Sequence, residues 1–158
     1  MATAQAPVPT ITNAANRPAR PRKLFVNVPV ADLQRSITFF EALGFQFSPQ
    51  FTDATATCML VGEDAYFMLL TEARFAGFSG GRPIPNRADA TGVLFNFSVE
   101  SREAVDATVR AAVAAGGAAV TDPEDHGFMY GWGFRDPDHH YWGVFWMDPA
   151  AIPAEARS

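Results

Sequence analysis

His126 is the residue whose type and surroundings best suit acid–base chemistry. It follows the acids Asp122, Glu124 and Asp125, and Tyr130 comes four residues after it. Histidine titrates near neutral pH, so His126 suits a general base, with Tyr130 as the second candidate catalytic residue. The competing interpretation is a loop histidine that is hydrogen-bonded to a neighbouring acid.

Two other groups have the residue types of a reactive or metal-binding site. His139 and His140 follow Asp136 and Asp138, which would allow a surface metal site. The same residues are typical of a tight turn, and we favour a turn with His139 in a positive-φ conformation. Cys58 is the only cysteine and lies in the apolar run ATCMLV, which predicts an inert core thiol and excludes a zinc–thiolate cluster.

Composition narrows the class of protein. The 158 residues are 48% apolar and include 14 Phe and 3 Trp, enough for one aromatic-rich domain or two half-domains. No apolar run is long enough to span a membrane. The net charge of −5 argues against a nucleic-acid partner, and the single cysteine fits a reducing, cytoplasmic location.

One pattern of elements occurs twice, 69 residues apart. The first copy is a strand at 24–30, an N-capping Asp32 and a helix that ends at Gly44; the second begins at Leu94 with Ser101 as its cap. Alternating apolar residues and turn signals predict the remaining strands at 45–51, 56–61, 65–71, 118–121, 126–135 and 140–147. Residues 72–90 are rich in Gly and Pro and are predicted to form a loop.

This order predicts two modules, each a strand, a helix and three further strands. We expect a disordered N-terminal tail at 1–21, a domain at 22–148 and a C-terminal tail at 149–158. Within the domain, module one covers 22–72, a linker loop 73–91, and module two 92–148. Two such half-sheets would bury a face of each and leave a cleft between them.

Two stretches resemble a known superfamily. VADLQRSITFFEALGF is similar to the first strand-to-helix passage of the vicinal oxygen chelate proteins, and FRDPDHHYWGVFWMDP to their last hairpin. The group includes glyoxalase I, bleomycin-resistance proteins and extradiol dioxygenases, and the resemblance covers residues 22–148. It implies an α+β fold of two tandem βαβββ modules, with a curled open mixed sheet around a pocket, helices outside, and a homodimer.

The resemblance also implies where a divalent metal would be held. Enzymes of this group use His or Glu at four positions, which here are Phe25, Met68, Leu94 and Gly143. None of these side chains supplies an imidazole or carboxylate, so we predict no metal cofactor at this site. Two residues beyond Phe25 and Leu94, both strands instead carry an asparagine.

We expect the cleft to be a mainly apolar pocket with a few polar groups. If Arg135 faces His140 across the last turn, Trp132 lies opposite Gly143 and both point into the cleft. The predicted ligand-binding residues are Phe25, Asn27, Met68, Leu94, Asn96, Phe128, Trp132, Gly143 and Phe145. The alternative is that these aromatic residues only pack the core.

The sequence therefore favours a glyoxalase- or bleomycin-resistance-like protein that binds a small hydrophobic or aromatic molecule without the usual metal. The alternative is a glyoxalase-like lyase or dioxygenase-like enzyme whose non-standard or metal-free site uses His126 and Tyr130. A third possibility is a folded dimer without a ligand, in which Trp132 and Phe25 meet and close the cleft. The expected partners are a small organic ligand and a second copy of the chain, with no nucleic acid and no membrane.

Overall fold

The computed structural model describes residues 8–12, 15 and 19–151. The predicted tails at 1–21 and 149–158 thus lie partly outside the described residues. The described positions of the N-terminal tail are exposed and form neither helix nor strand, whereas Pro149–Ala151 forms a short 3-10 helix. Among the described residues, no helix has the length and apolar character needed to cross a membrane.

Module one forms a four-stranded mixed sheet with one long helix. Its elements are β1 (Leu24–Val30), α1 (Leu33–Ala42), β2 (Gln46–Ser48), β3 (Ala56–Leu60) and β4 (Ala65–Thr71). The strand order is β1-β4-β3-β2, with β1 parallel to β4 and the other pairs antiparallel. The strand predicted at 45–51 is too long, because Pro49 starts a 3-10 turn at Pro49–Phe51.

Helix α1 begins and ends as its sequence predicts. The Asp32 carboxylate accepts the backbone N–H of Arg35 at 2.9 Å, and Gly44 has a φ of +90° just beyond the helix. The buried face is made by Ser36, Phe39 and Phe40. Leu33 and Ile37 lie beside this face and are half-buried.

The connection between the modules contains a helix that the sequence analysis did not predict. Helix α2 (Glu72–Phe78) follows β4 directly, and the Thr71 hydroxyl accepts the backbone N–H of Arg74 at 3.3 Å as its N-cap. The prediction of a loop over 72–90 is wrong here because its Gly and Pro residues begin only at Gly77. Gly77 itself lies in the last turn of the helix, and the other Gly and Pro residues follow its end.

Module two repeats the topology. Its elements are β5 (Leu94–Ser98), α3 (Arg102–Ala114), β6 (Ala118–Asp125), β7 (Met129–Arg135) and β8 (Tyr141–Met147), in the order β5-β8-β7-β6. Strand β6 is longer than predicted and β7 shorter. The pairing of β6 with β7 shifts between Val120 and Glu124, and Thr121 within this irregularity has a φ of +59°.

One core holds the two modules together. Phe40 of α1 lies 5.1 Å from Trp142 of β8, and Phe39 lies 6.0 Å from Phe134 of β7, measured between ring centroids. Buried residues of α1, α3 and both sheets belong to the same cluster. Each sheet therefore packs one face against this core and turns its other face away from it. The α+β fold of two tandem modules with open mixed sheets is confirmed.

Candidate functional site

The hairpin between β7 and β8 determines which side chains reach the open face of the second sheet. Arg135 pairs with Tyr141, and the Asp136 N–H donates to the His140 carbonyl at 3.1 Å. The loop thus has three residues and ends at His139, whose φ of +64° is the predicted positive-φ turn conformation. The predicted pairing of Arg135 with His140 is wrong by one residue.

A shift of one residue moves a side chain to the other face of a sheet. Trp132 pairs with Val144 on the core side, and its indole N–H donates to the Thr121 carbonyl at 3.0 Å. The Tyr130 hydroxyl donates to Asp106 of α3 at 2.8 Å. The predicted orientation of Tyr130 and Trp132 into the cleft is therefore wrong, although Trp132 borders the cavity described next.

A cavity of about 410 Å³ lies on the open face of the second sheet. Three glycines form its floor. Gly131 and Gly133 are two residues apart on β7 and share one face of the strand, and Gly143 lies opposite Gly133 on β8. A Cβ atom on Gly133 would lie 2.6 Å from the Tyr141 hydroxyl oxygen, and one on Gly143 would overlap the Asn96 amide oxygen. Tyr141 and Asn96 therefore cover Gly133 and Gly143 closely, whereas the nearest atom to a Cβ on Gly131 would be the Val144 carbonyl oxygen at 3.5 Å.

The walls of the cavity combine apolar, aromatic and polar groups, all from module two. Its lining residues are Asn96, Thr121, Asp122, Glu124, His126, Met129, Gly131, Trp132, Gly133, Tyr141, Gly143, Val144, Phe145 and Met147. The apolar and aromatic side chains come from β7 and β8, whereas the acids come from β6. Such a lining suits an organic molecule whose orientation is fixed by a few polar contacts.

The polar side of the cavity is a loop that Arg102 holds in place. Arg102 donates to the Asp125 carboxylate and to the Gly127 carbonyl, each at 2.7 Å. The Arg102 guanidinium and the Gly127 N–H hold the pKa of Asp125 below its ordinary value. His126, between these two residues, has its Nε2 3.3 Å from a Glu124 carboxylate oxygen.

Tyr130 and His126, the two predicted catalytic residues, do not converge on one point. The Tyr130 hydroxyl donates a hydrogen bond to the Asp106 carboxylate. This hydrogen bond, together with burial, raises the pKa of the phenol. A phenol held protonated on the core side of the sheet is poorly suited to act as a base in the cavity. Only His126 of this pair borders the cavity.

The predicted ligand-binding residues of module one lie away from this cavity. Phe25 stacks on Tyr66 with ring centroids 4.9 Å apart, and Asn27 pairs with Met68 in the first sheet. In module two, Leu94 and Phe128 are also absent from the lining. Five of the predicted site residues line the cavity: Asn96, His126, Trp132, Gly143 and Phe145.

The four positions implied for a divalent metal do not fit one. Phe25 and Leu94 are 53% and 58% exposed and carry no donor atom, and a side chain at Gly143 would meet Asn96. Met68 offers only a thioether, which is a ligand for soft ions. Within the described part of the chain, no three His, Cys, Asp or Glu side chains are grouped as a metal site.

Comparison with known families identifies the fold's relatives. A sequence model of the Glyoxalase/Bleomycin resistance protein/Dioxygenase superfamily matches residues 24–144, which is most of the chain. The chain belongs to this superfamily. Among curated proteins, none matches the chain significantly.

Several solved structures share the architecture. Hypothetical protein SA1046 from S. aureus is 25% identical with a TM-score of 0.68, and the match covers 80% of this chain and 94% of that one. A family enzyme from Burkholderia phytofirmans PsJN is 19% identical with a TM-score of 0.67, covering 78% and 96%. The fosfomycin resistance protein FosX from Listeria monocytogenes is 15% identical with a TM-score of 0.61, covering 88% and 99%. These similarities concern the fold.

The sequence analysis missed the glycine floor. Gly131 and Gly133 stand on either side of Trp132 in MYGWGFR, and residues two apart in a strand share a face. Two glycines at that spacing would have indicated an open space over one face of β7. The prominent tryptophan between them directed the prediction to the opposite face.

Proposed function

We propose that this glyoxalase/bleomycin-resistance protein binds a small hydrophobic or aromatic organic molecule in the cavity of module two. The observation that carries the proposal is the floor of Gly131, Gly133 and Gly143 beneath a cavity of about 410 Å³. Because these three positions lack side chains, Tyr141 and Asn96 lie close against Gly133 and Gly143, and the backbone at Gly131 remains accessible to a planar molecule.

The side chains around the floor support the same class of ligand. Phe145, Met129 and Met147 offer apolar and polarisable contact area, and Tyr141 adds an aromatic ring. Asn96 adds an amide that donates and accepts hydrogen bonds. Burial of the ligand's apolar surface would supply affinity, and the amide would orient it.

The proposal includes no divalent metal at the superfamily's usual positions. The donor chemistry of Phe25, Met68, Leu94 and Gly143 supports this, since it lacks imidazole and carboxylate groups. Chemistry that depends on such a metal is consequently no part of the proposed function.

A homodimer is part of the same proposal. Phe25 on β1 and Leu94 on β5 are more than half exposed, on the sheet faces turned away from the core. Exposed apolar side chains on open sheet faces are typical of surfaces that a partner covers. Light scattering on the purified chain should give twice the 17.1 kDa mass of one copy, and a mass of one copy would refute this part.

The experiment that tests the ligand site uses a panel of neutral one- to three-ring aromatic compounds. Binding is measured by calorimetry to the wild-type chain and to Gly133→Val, which fills the floor beside Tyr141. Gly62→Val is the matched control, because a Cβ at Gly62 meets only Ala65 at 3.8 Å. Loss of binding in Gly133→Val alone supports the proposal; equal binding by all three proteins contradicts it.

The enzymatic alternative is separated by His126→Ala. His126 borders the cavity and is half-exposed beside Glu124. A binding protein keeps its affinity for the probe within a few-fold after this change, whereas an enzyme that uses His126 as a base loses turnover. If the wild-type chain turns over a substrate and His126→Ala abolishes this turnover without changing the affinity, the protein is an enzyme and the proposal of a binding protein is wrong.

A further inference from the structure

A second and smaller cavity lies between the two modules, apart from the glycine-floored one. Its volume is about 190 Å³, and it is covered by residues 79–93, which connect α2 with β5. Its apolar walls come from both modules and from this connection: Val28, Pro29, Phe75, Ile84, Val93 and Phe95. Tyr141 borders both cavities.

The connection over this cavity is fastened at two points. Arg87 donates to the Asp138 carbonyl at 2.9 Å and to the Glu72 carboxylate at 3.2 Å. Arg135 donates to the Thr91 hydroxyl at 3.1 Å and so ties the end of the connection to β7. These charge-assisted bonds hold the roof over the cavity without filling it.

The cavity opens to the surface on one side, where Val93 is 53% exposed, and its inner wall includes Phe95, which is 9% exposed. Apolar cavities of about 150 Å³ remain dry and bind molecules as large as benzene. The cavity between the modules therefore has room for one aromatic ring or a small branched aliphatic group.

The wall of this cavity includes a buried imidazole, His140, with one ring nitrogen that makes no hydrogen bond to the described residues. His140 is 7% exposed, and its Nε2 lies 2.7 Å from the Pro29 carbonyl oxygen. Because a carbonyl only accepts, Nε2 carries the hydrogen of this bond, and Nδ1 is the ring nitrogen through which His140 could accept from a ligand. Among the described residues, neither Nδ1 of His140 nor the side-chain amide of Asn27, which also borders the cavity, has a hydrogen-bond partner.

We propose that this cavity is a binding site for a one-ring apolar molecule that carries a single hydroxyl or N–H donor. The ring lies among Phe75, Ile84, Val93 and Phe95, and the donor meets Nδ1 of His140. The evidence for this site comes from its own lining residues, and the proposal does not depend on the function proposed for the cavity of module two.

The test titrates phenol into the ¹⁵N-labelled full chain and follows amide shifts by NMR. The expected result is a saturable shift at Gly92 and Val93, with anisole, which lacks the hydroxyl hydrogen, binding about tenfold more weakly. Saturable shifts confined to Gly131 and Gly143 would place phenol in the other cavity and overturn the proposal. Equal affinity for phenol and anisole would overturn the role of His140.

Two variants in residues 79–93 provide a second test of the site. Ile84→Trp fills the cavity from its roof and should abolish the phenol-induced shifts. Arg82→Trp adds the same side chain to the same connection at an exposed position outside the lining, and should bind phenol as the wild type does. Phenol binding to Ile84→Trp with wild-type affinity would refute the site. The phenol and anisole comparison needs no variant and remains decisive if Ile84→Trp does not fold.

Discussion

Asp138 joins the two modules and offers the sharpest prediction about stability. It sits in the hairpin loop between β7 and β8 with a side chain that is 3% exposed. Its carboxylate accepts the Ala31 N–H at 2.8 Å, an Arg35 N–H at 3.1 Å and the Ser36 hydroxyl at 3.2 Å. All three donors lie at the start of α1, so one carboxylate ties module two to module one.

The magnitude follows from these contacts. Hydrogen bonds to a charged group contribute about 1.5 kcal/mol or more each, and three of them are lost together; the Arg35 side chain is 46% exposed, so the ion pair itself adds little. We expect Asp138→Ala to lower the free energy of unfolding by about 3–5 kcal/mol, a large share of a domain's total of roughly 5–15 kcal/mol. Asp138→Asn keeps one acceptor oxygen but loses the charge, so its loss should be about half as large.

Urea-induced unfolding followed by tryptophan fluorescence measures both changes. Asp122→Ala is the control, because Asp122 is exposed and its carboxylate has no hydrogen-bond partner among the described residues; only its backbone carbonyl accepts, from the Thr121 hydroxyl. Its effect should remain within about 0.5 kcal/mol. A loss below about 1 kcal/mol for Asp138→Ala would show that this carboxylate does not hold the modules together, and the reasoning would be wrong.

Three further predictions concern the cavity of module two and its loop. Gly133→Val should weaken binding of an aromatic probe at least tenfold in calorimetry, since it fills the floor; unchanged affinity would contradict this. Trp132→Phe should lower the free energy of unfolding in urea by at least about 1 kcal/mol, because the bond to the Thr121 carbonyl is lost together with part of the packing against the core; no loss would refute that bond's role. Asp125 has a folded-state pKa below the ordinary 3.8, so its stabilising contribution is present above that pH and is lost as pH falls through the lower folded value. Arg102→Met should reduce but not abolish this pH dependence in acid unfolding curves, because the Gly127 N–H would still lower the pKa of Asp125. An unchanged pH dependence would argue against the ion pair.

Local patterns predicted the repeated architecture from the sequence. The Asp32 cap, the Gly44 stop and the second copy beginning at Leu94 correspond to real elements, because capping and periodicity act over a few residues. The superfamily could likewise be recognised from the first helix and the last hairpin, as the match over residues 24–144 confirms.

The orientation of the candidate site could not be predicted, because it depends on one residue in one turn. The predicted pairing of Arg135 with His140 requires a four-residue connection, whereas the structure has a three-residue loop that ends in positive φ at His139. The two differ by one residue in register, and this difference points Trp132 to opposite faces of the sheet. Turn signals in Asp136–His140 are compatible with both. Contacts over long sequence distances, such as Asp138 with Arg35, also leave no local signal.

The most direct test of the central claim is native mass spectrometry of the purified chain combined with metal analysis. We expect far less than one divalent ion per chain, and an added or co-purified aromatic molecule that stays bound to the wild type but not to Gly133→Val. One stoichiometric divalent ion, whose removal abolishes an activity, would contradict the proposal of a metal-free binding protein.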